Sequence, residues 1–157
     1  MITGDELIGF LLHQLPYEQK IVSYVDSYGL QHQVNKFADI PDLKDITLKI
    51  EGMEKYSKEI WSFCKKIAQL KSFDGPVTAH CFYAHPQSPS FGIHKDLDDV
   101  MIYCVEGVKT LYVEDTYYEL QQGESVFIQA GTPHEITNRH SSIILSIGFE
   151  KYMVDKL

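Results

Sequence analysis

The sequence predicts a mainly β protein, a β-barrel or jelly roll, with helices from its N-terminal half packed against it. Two observations carry that reading. From Pro76 onward the chain breaks into short runs rich in β-branched and aromatic residues, separated by Gly107, Gly123 and Gly131. Before Pro76 the apolar residues recur mainly at helical spacing.

Thr3-Gly-Asp-Glu6 reads as a capping box ahead of Leu7, Ile8, Phe10, Leu11 and Leu12. Pro16 ends that helix or starts the next, and Tyr17–Tyr28 reads as a second short helix stopped at Gly29. Residues Gln31–Leu43 are polar and irregular, with Pro41 among them. Over Met53–Leu70, Ile60, Trp61, Cys64, Ile67 and Leu70 recur at helical spacing with lysines opposite, as in a helix lying on a sheet. Strands are expected at Val77–Ala84, Phe91–His94, Val100–Val105, Thr110–Val113, Tyr117–Leu120, Ser125–Ile128, His134–Thr137 and Ser142–Gly148. No repeat or linker divides the chain. Residues 1–157 are expected to form one domain, mainly helical over 1–75 and a barrel over 76–150.

Composition narrows the function. With 157 residues, 44% of them hydrophobic, the chain can bury a core. A net charge of -8 and no basic run beyond Lys65, Lys66 and Lys71 argue against a nucleic-acid partner. Cys64, Cys81 and Cys104 are odd in number and lack C-x-x-C spacing, which suits reduced thiols in the cytoplasm. The N-terminus lacks the basic region of a secretory signal, and no apolar run approaches the roughly 20 residues that span a bilayer. A cytoplasmic location without membrane contact is expected, and a homodimer stays open.

His94-Lys-Asp96 and His134 carry the chemistry. On a strand, His94 and Asp96 point to one side. Inward-facing positions on neighbouring barrel strands converge on one cavity, which brings His134 to them. Two imidazoles and one carboxylate suit a redox-active divalent metal with open coordination positions, such as Fe(II), Mn(II), Co(II) or Ni(II). The parity that turns His94 and Asp96 inward also turns Val100, Ile102 and Cys104 inward. Cys104 is either a further ligand or a small buried apolar residue.

Gly123 to Asn138 resembles the second motif of the cupins, G-x5-P-x-G-x2-H-x3-N, with Gly123, Gly131, His134 and Asn138 in register and Gln129 in place of proline. Ser90 to Lys109 is similar to the JmjC-type branch of that superfamily, read as S-F-x-x-H-x-D-x-x-D-V followed by G-x-K. The resemblance spans about residues 76 to 150. It implies a double-stranded β-helix, the cupin barrel, with N-terminal α-helices packed against it. It implies an Fe(II)- and 2-oxoglutarate-dependent oxygenase, a non-haem iron dioxygenase that couples decarboxylation of 2-oxoglutarate to hydroxylation of a C–H bond. The metal ligands would be His94, Asp96 and His134, which are also the catalytic residues. Many metal cupins have a glutamate ligand where Val100 stands, so a three-ligand site is implied.

Lys109 stands where this family places a basic residue on the distal carboxylate of 2-oxoglutarate; by itself it also reads as an exposed turn lysine. Tyr83 would give a hydroxyl to the same carboxylate or pack in the core. Phe91 would line the cosubstrate pocket, and Asn138 and Ser146 are further cosubstrate-binding candidates. Asp99 matches the family pattern as a structural residue, while His80 and His85 read as ordinary polar residues. The segment between Asp96 and His134 lacks the long insertions of larger relatives, which weakens the case for a peptide substrate. A protein side chain and a small molecule both remain open. Two other functions fit the residues: a metal-dependent cupin enzyme, a dioxygenase or isomerase, that does not use 2-oxoglutarate, and a non-enzymatic ligand-binding cupin.

Overall fold

In a computed structural model, which describes residues 1–156, Thr3 caps the first helix, α1 (Gly4–Leu11), by accepting from the backbone N–H of Glu6 at 3.2 Å. Pro16 sits in the first turn of a short α2 (Leu15–Glu18). The helix expected over Tyr17–Tyr28 is not formed. Val22–Val25 is strand β1, and it turns back into β2 (Gln31–Gln33). The local reason is the turn between them. Asp26 Oδ1 accepts from the backbone N–H groups of Tyr28 and Leu30 at 2.9 and 3.0 Å, and Gly29 takes φ +78°. β3 (Thr47–Ile50) also arises where no element was expected.

Ser57 caps α3 (Lys58–Leu70) by accepting from Ile60 N–H at 3.2 Å. The buried stripe of α3 is narrower than the sequence suggests. Ile60 and Cys64 are buried and Phe63 and Ile67 partly so, while Trp61 and Leu70 are exposed. Trp61 lies one step round the helix from Ile60, and the Lys65 ammonium sits 4.8 Å from its ring centroid.

Seven further strands follow: β4 (Val77–Ala84), β5 (Asp99–Gly107), β6 (Lys109–Val113), β7 (Thr116–Leu120), β8 (Ser125–Ile128), β9 (His134–Thr137) and β10 (Ser142–Phe149). A short α4 (Met153–Lys156) comes after them. All pairings are antiparallel, in a seven-stranded sheet ordered β2-β1-β3-β4-β10-β5-β8 and a three-stranded sheet ordered β7-β6-β9. This is the expected jelly-roll architecture, with three strands of the first half widening the larger sheet. Phe91–His94 is not a strand; a single antiparallel bridge joins His94 to His134.

The larger sheet is covered on both faces. Outside, Leu48, Cys81, Met101, Leu145 and Ile147 pack against Leu7 and Leu11 of α1 and Ile60 and Cys64 of α3. Inside, Ile102, Cys104 and Ile144 meet Leu111, Leu120 and Ile128 between the two sheets. Alternation along β5 turns Cys104 inward and Val105 outward, and a bulge at Val105 then sets Glu106 opposite Ile143. All three cysteines are free and buried, with Cys104 part of the inner core.

Candidate metal centre and cavity

β9 presents His134 and Ile136 inward at strand period two, Asn138 just past its end continues that face, and the bridge sets His94 beside His134. The two histidines exchange backbone bonds, His94 N–H to His134 O at 3.0 Å and His134 N–H to His94 O at 2.9 Å. Their rings lie 4.3 Å apart between centroids. The loop after His94 is fastened at Asp96, whose carbonyl accepts from Gly131 N–H at 2.9 Å. Asp96 Oδ2 then stands 3.1 Å from His134 Nε2 and 4.0 Å from His94 Nε2. The expected convergence of His94 and Asp96 is therefore present, but a pinned loop rather than a strand produces it.

The ligand atoms of this triad lie within 4.8 Å of one another. Each imidazole meets a backbone carbonyl through Nδ1, His94 that of Gly92 at 3.0 Å and His134 that of Thr132 at 2.9 Å. A carbonyl only accepts, so each ring holds a proton on Nδ1 and has Nε2 left for an ion. The donor set fits a divalent metal bound by two nitrogens and one carboxylate. The hydrogen bond from His134 holds the Asp96 carboxyl below the usual carboxylate range, and the same bond raises His134 above an ordinary histidine. A proton and an ion thus compete for His134 Nε2.

The triad opens into a cavity of about 770 Å³ between the sheets. Lys109 lines it too. β5 ends at Gly107, with φ +77°, where an added Cβ would meet Ser141 O at 2.1 Å; only glycine fits that approach. The chain turns there, and β6 begins with Lys109 pointing inward, 1% exposed. Its ammonium donates to Asn138 Oδ1, and burial lowers its pKa to about 8. The turn-lysine alternative does not describe this geometry.

Asn138 is a junction. Besides accepting from Lys109, its Nδ2 donates to Ser88 O at 2.9 Å and Pro89 O at 3.3 Å, tying β9 to the segment that leads to His94. Phe91 and Ser146 line the cavity, as do Val100 and Ile102. Tyr83 does not, which corrects its candidacy. It faces the outer core beside α1, where its ring stacks on His85 at 5.0 Å. Strand parity is the cause: Ala79, Cys81 and Tyr83 face outward, so Thr78, His80 and Phe82 line the cavity. In the sequence His80 reads as an ordinary polar residue; its opposite parity to Tyr83 is the signal for the cavity face. Asp99 is structural, accepting from Ala130 N–H at 2.8 Å.

Comparison with known proteins agrees with the architecture. Residues 82–148 match the family described as Cupin domain. No curated protein matches the chain. Among solved structures, the chain is similar to YcfD, a ribosomal oxygenase from Escherichia coli, in complex with cobalt and succinic acid. That match has 17% identity and a TM-score of 0.78, and covers 99% of this chain and 45% of that one. The same oxygenase with cobalt and 2-oxoglutarate aligns at 19% identity and a TM-score of 0.74, covering 98% of this chain and 45% of that one. At such identities the likeness speaks for the fold, and this chain spans about 45% of the oxygenase's length. Fold, motif and family match agree: residues 82–148 match the Cupin domain family and form a barrel of the jelly-roll type.

Proposed function

We propose that this chain is an Fe(II)- and 2-oxoglutarate-dependent oxygenase. The observation that carries the reading is one cavity holding both the His94, Asp96 and His134 triad and the buried ammonium of Lys109. A buried lysine without an anionic partner is costly, and a lysine aimed into a cavity is suited to a ligand carboxylate. 2-Oxoglutarate is a diacid, with one carboxylate and its keto oxygen for a metal and a second carboxylate for Lys109. The likeness to an oxygenase held with cobalt and 2-oxoglutarate supports the same reading.

His94, Asp96 and His134 would hold the ion, which when bound supplies a Lewis acid and a redox centre for activating dioxygen. The chain's own residues do the rest. Lys109 orients the diacid from its distal end, and Asn138 holds Lys109 in line. Val100, Ile102, Ile136 and Ile144 give the cavity an apolar wall that excludes water and strengthens the lysine–carboxylate contact. Three protein ligands leave coordination positions for cosubstrate and dioxygen.

The test is anaerobic reconstitution with Fe(II) followed by titration with 2-oxoglutarate. A weak metal-to-ligand charge-transfer band in the visible, and succinate on admitting air, are expected. Metal binding with neither band nor succinate would instead assign a metal cupin that does not use this cosubstrate.

A further inference from the structure

The inner face of the larger sheet carries polar groups that neither the triad nor Lys109 engages. Cross-strand register places His80 opposite Ser146, and Thr78 opposite Gly148, on β4 and β10. All four line the cavity, together with Lys49 of β3 and Glu150 just past β10. Gly148 leaves the floor low between its neighbours, since a Cβ there would come 3.2 Å from Thr78 Oγ1.

The hydrogen-bonding roles are set by what each group already does. Gly52 N–H donates to His80 Nδ1 at 3.1 Å, so the neutral ring carries its proton on Nε2. Burial first, and then Lys49, lower the His80 pKa, which keeps the ring an uncharged donor. Lys49 Nζ stands 3.4 Å from Glu51 Oε1, with its side chain 17% exposed. Glu150 Oε1 accepts from the Thr78 hydroxyl at 3.2 Å. Among the described residues Glu150 forms no ion pair, so its charge is available to a cation.

We propose that Lys49, His80, Ser146 and Glu150 form a subsite for the head group of a free α-amino acid, the molecule this chain would oxidise. The proposal rests on the oxygenase reading above. The α-carboxylate is an acceptor of charge opposite to Lys49 and meets the donors of Lys49 and His80. The α-ammonium is a donor of charge opposite to Glu150. Ser146 offers a hydroxyl to either. A residue within a polypeptide has lost both charges to amide bonds, so this constellation selects the free molecule over a peptide. The same cavity holds the triad, so the side chain of an amino acid seated here extends into the space the metal centre shares.

The experiment is calorimetric titration of the full chain with each free L-α-amino acid and with its N-acetyl methylamide. It is run on the metal-free protein and on its Mn(II) and 2-oxoglutarate complex, in which binding is read without turnover. At least one free amino acid is expected to bind, with its blocked derivative weaker by about 10-fold or more, because two charged hydrogen bonds are lost. Glu150→Gln keeps an acceptor for Thr78, and Lys49→Met keeps the stem; each should weaken the free amino acid by about 10-fold or more. Circular dichroism of both variants checks that the fold persists. Failure of every free amino acid to bind either form, or equal binding of free and blocked compounds, overturns the proposal. Failure of 2-oxoglutarate to bind the Mn(II) protein would instead strike the oxygenase reading, and the metal-free titrations would still judge the subsite.

Discussion

His94 and Asp96 stand on a loop at one part of the cavity with side chains 36% and 38% exposed, whereas Lys109 stands on a strand and is 1% exposed. The contrast separates two ways of placing charge. His94 and Asp96 keep contact with water while His134 is buried, so an ion held by the three would enter and leave from the loop side. Lys109 has little such contact. With Asn138 Oδ1 as its partner, its charge is costly in the ligand-free protein, and a carboxylate in the cavity would stabilise it.

The largest effect expected from this contrast is at the loop. Asp96→Ala removes the only anionic ligand. Losing a group that merely orients a ligand costs about 10–100-fold in metal affinity, so this substitution should exceed that range. Metal analysis after Fe(II) loading and dialysis checks it, and wild-type affinity in the variant would remove the triad assignment.

The buried lysine should next show itself in stability against pH. Its folded pKa of about 8 lies below the unfolded value of about 10.4, so between those values the unfolded chain binds the extra proton. Stability contributed by this site should therefore rise from about pH 8 to about pH 10.4, by an amount on the order of 3 kcal/mol. Below the folded pKa the penalty is present in full. Denaturant titrations of wild type and Lys109→Met across that range should differ in slope; parallel curves would contradict a desolvated ammonium.

The same lysine sharpens the comparison through its ligand. Lys109→Ala should weaken 2-oxoglutarate binding by roughly 10- to 150-fold, the equivalent of about 1.5–3 kcal/mol for a charged hydrogen bond, while metal binding survives. The smallest effect belongs to Asn138→Ala. Asn138 accepts from the Lys109 ammonium with or without ligand, so its loss should cost binding only about 1 kcal/mol, a rise of roughly 5-fold in the 2-oxoglutarate dissociation constant. Asn138→Asp puts a carboxylate on Lys109 in the ligand-free protein, so it should compete with 2-oxoglutarate and recover none of that loss.

Legibility in the sequence followed local pattern. Val77–Ala84, Ser125–Ile128 and His134–Thr137 form as read, because glycines and alternation mark their ends. β1 was read as helix because Tyr17–Tyr28 mixes both periods, and its pairing with β3 is a tertiary preference that no local pattern announces. The triad was legible from spacing and motif. Tyr83 lies one step of parity away from the cavity: both faces of β4 are covered, one by the helices and one by the cavity, and Thr78 and His80 against Ala79 and Cys81 mark the cavity face only weakly.

The reciprocal backbone bonds of His94 and His134 join segments far apart in the chain, so this pair exists only when the barrel is closed. Amide hydrogen exchange at these two positions therefore reports the free energy of opening the assembled centre, whether or not an ion bound there has a spectrum. An ion at 100 times its dissociation constant adds about 2.7 kcal/mol to the folded state. If opening of the bridge releases the ion, both amides slow by about 100-fold on loading, and by equal factors, since each N–H is freed by the same event.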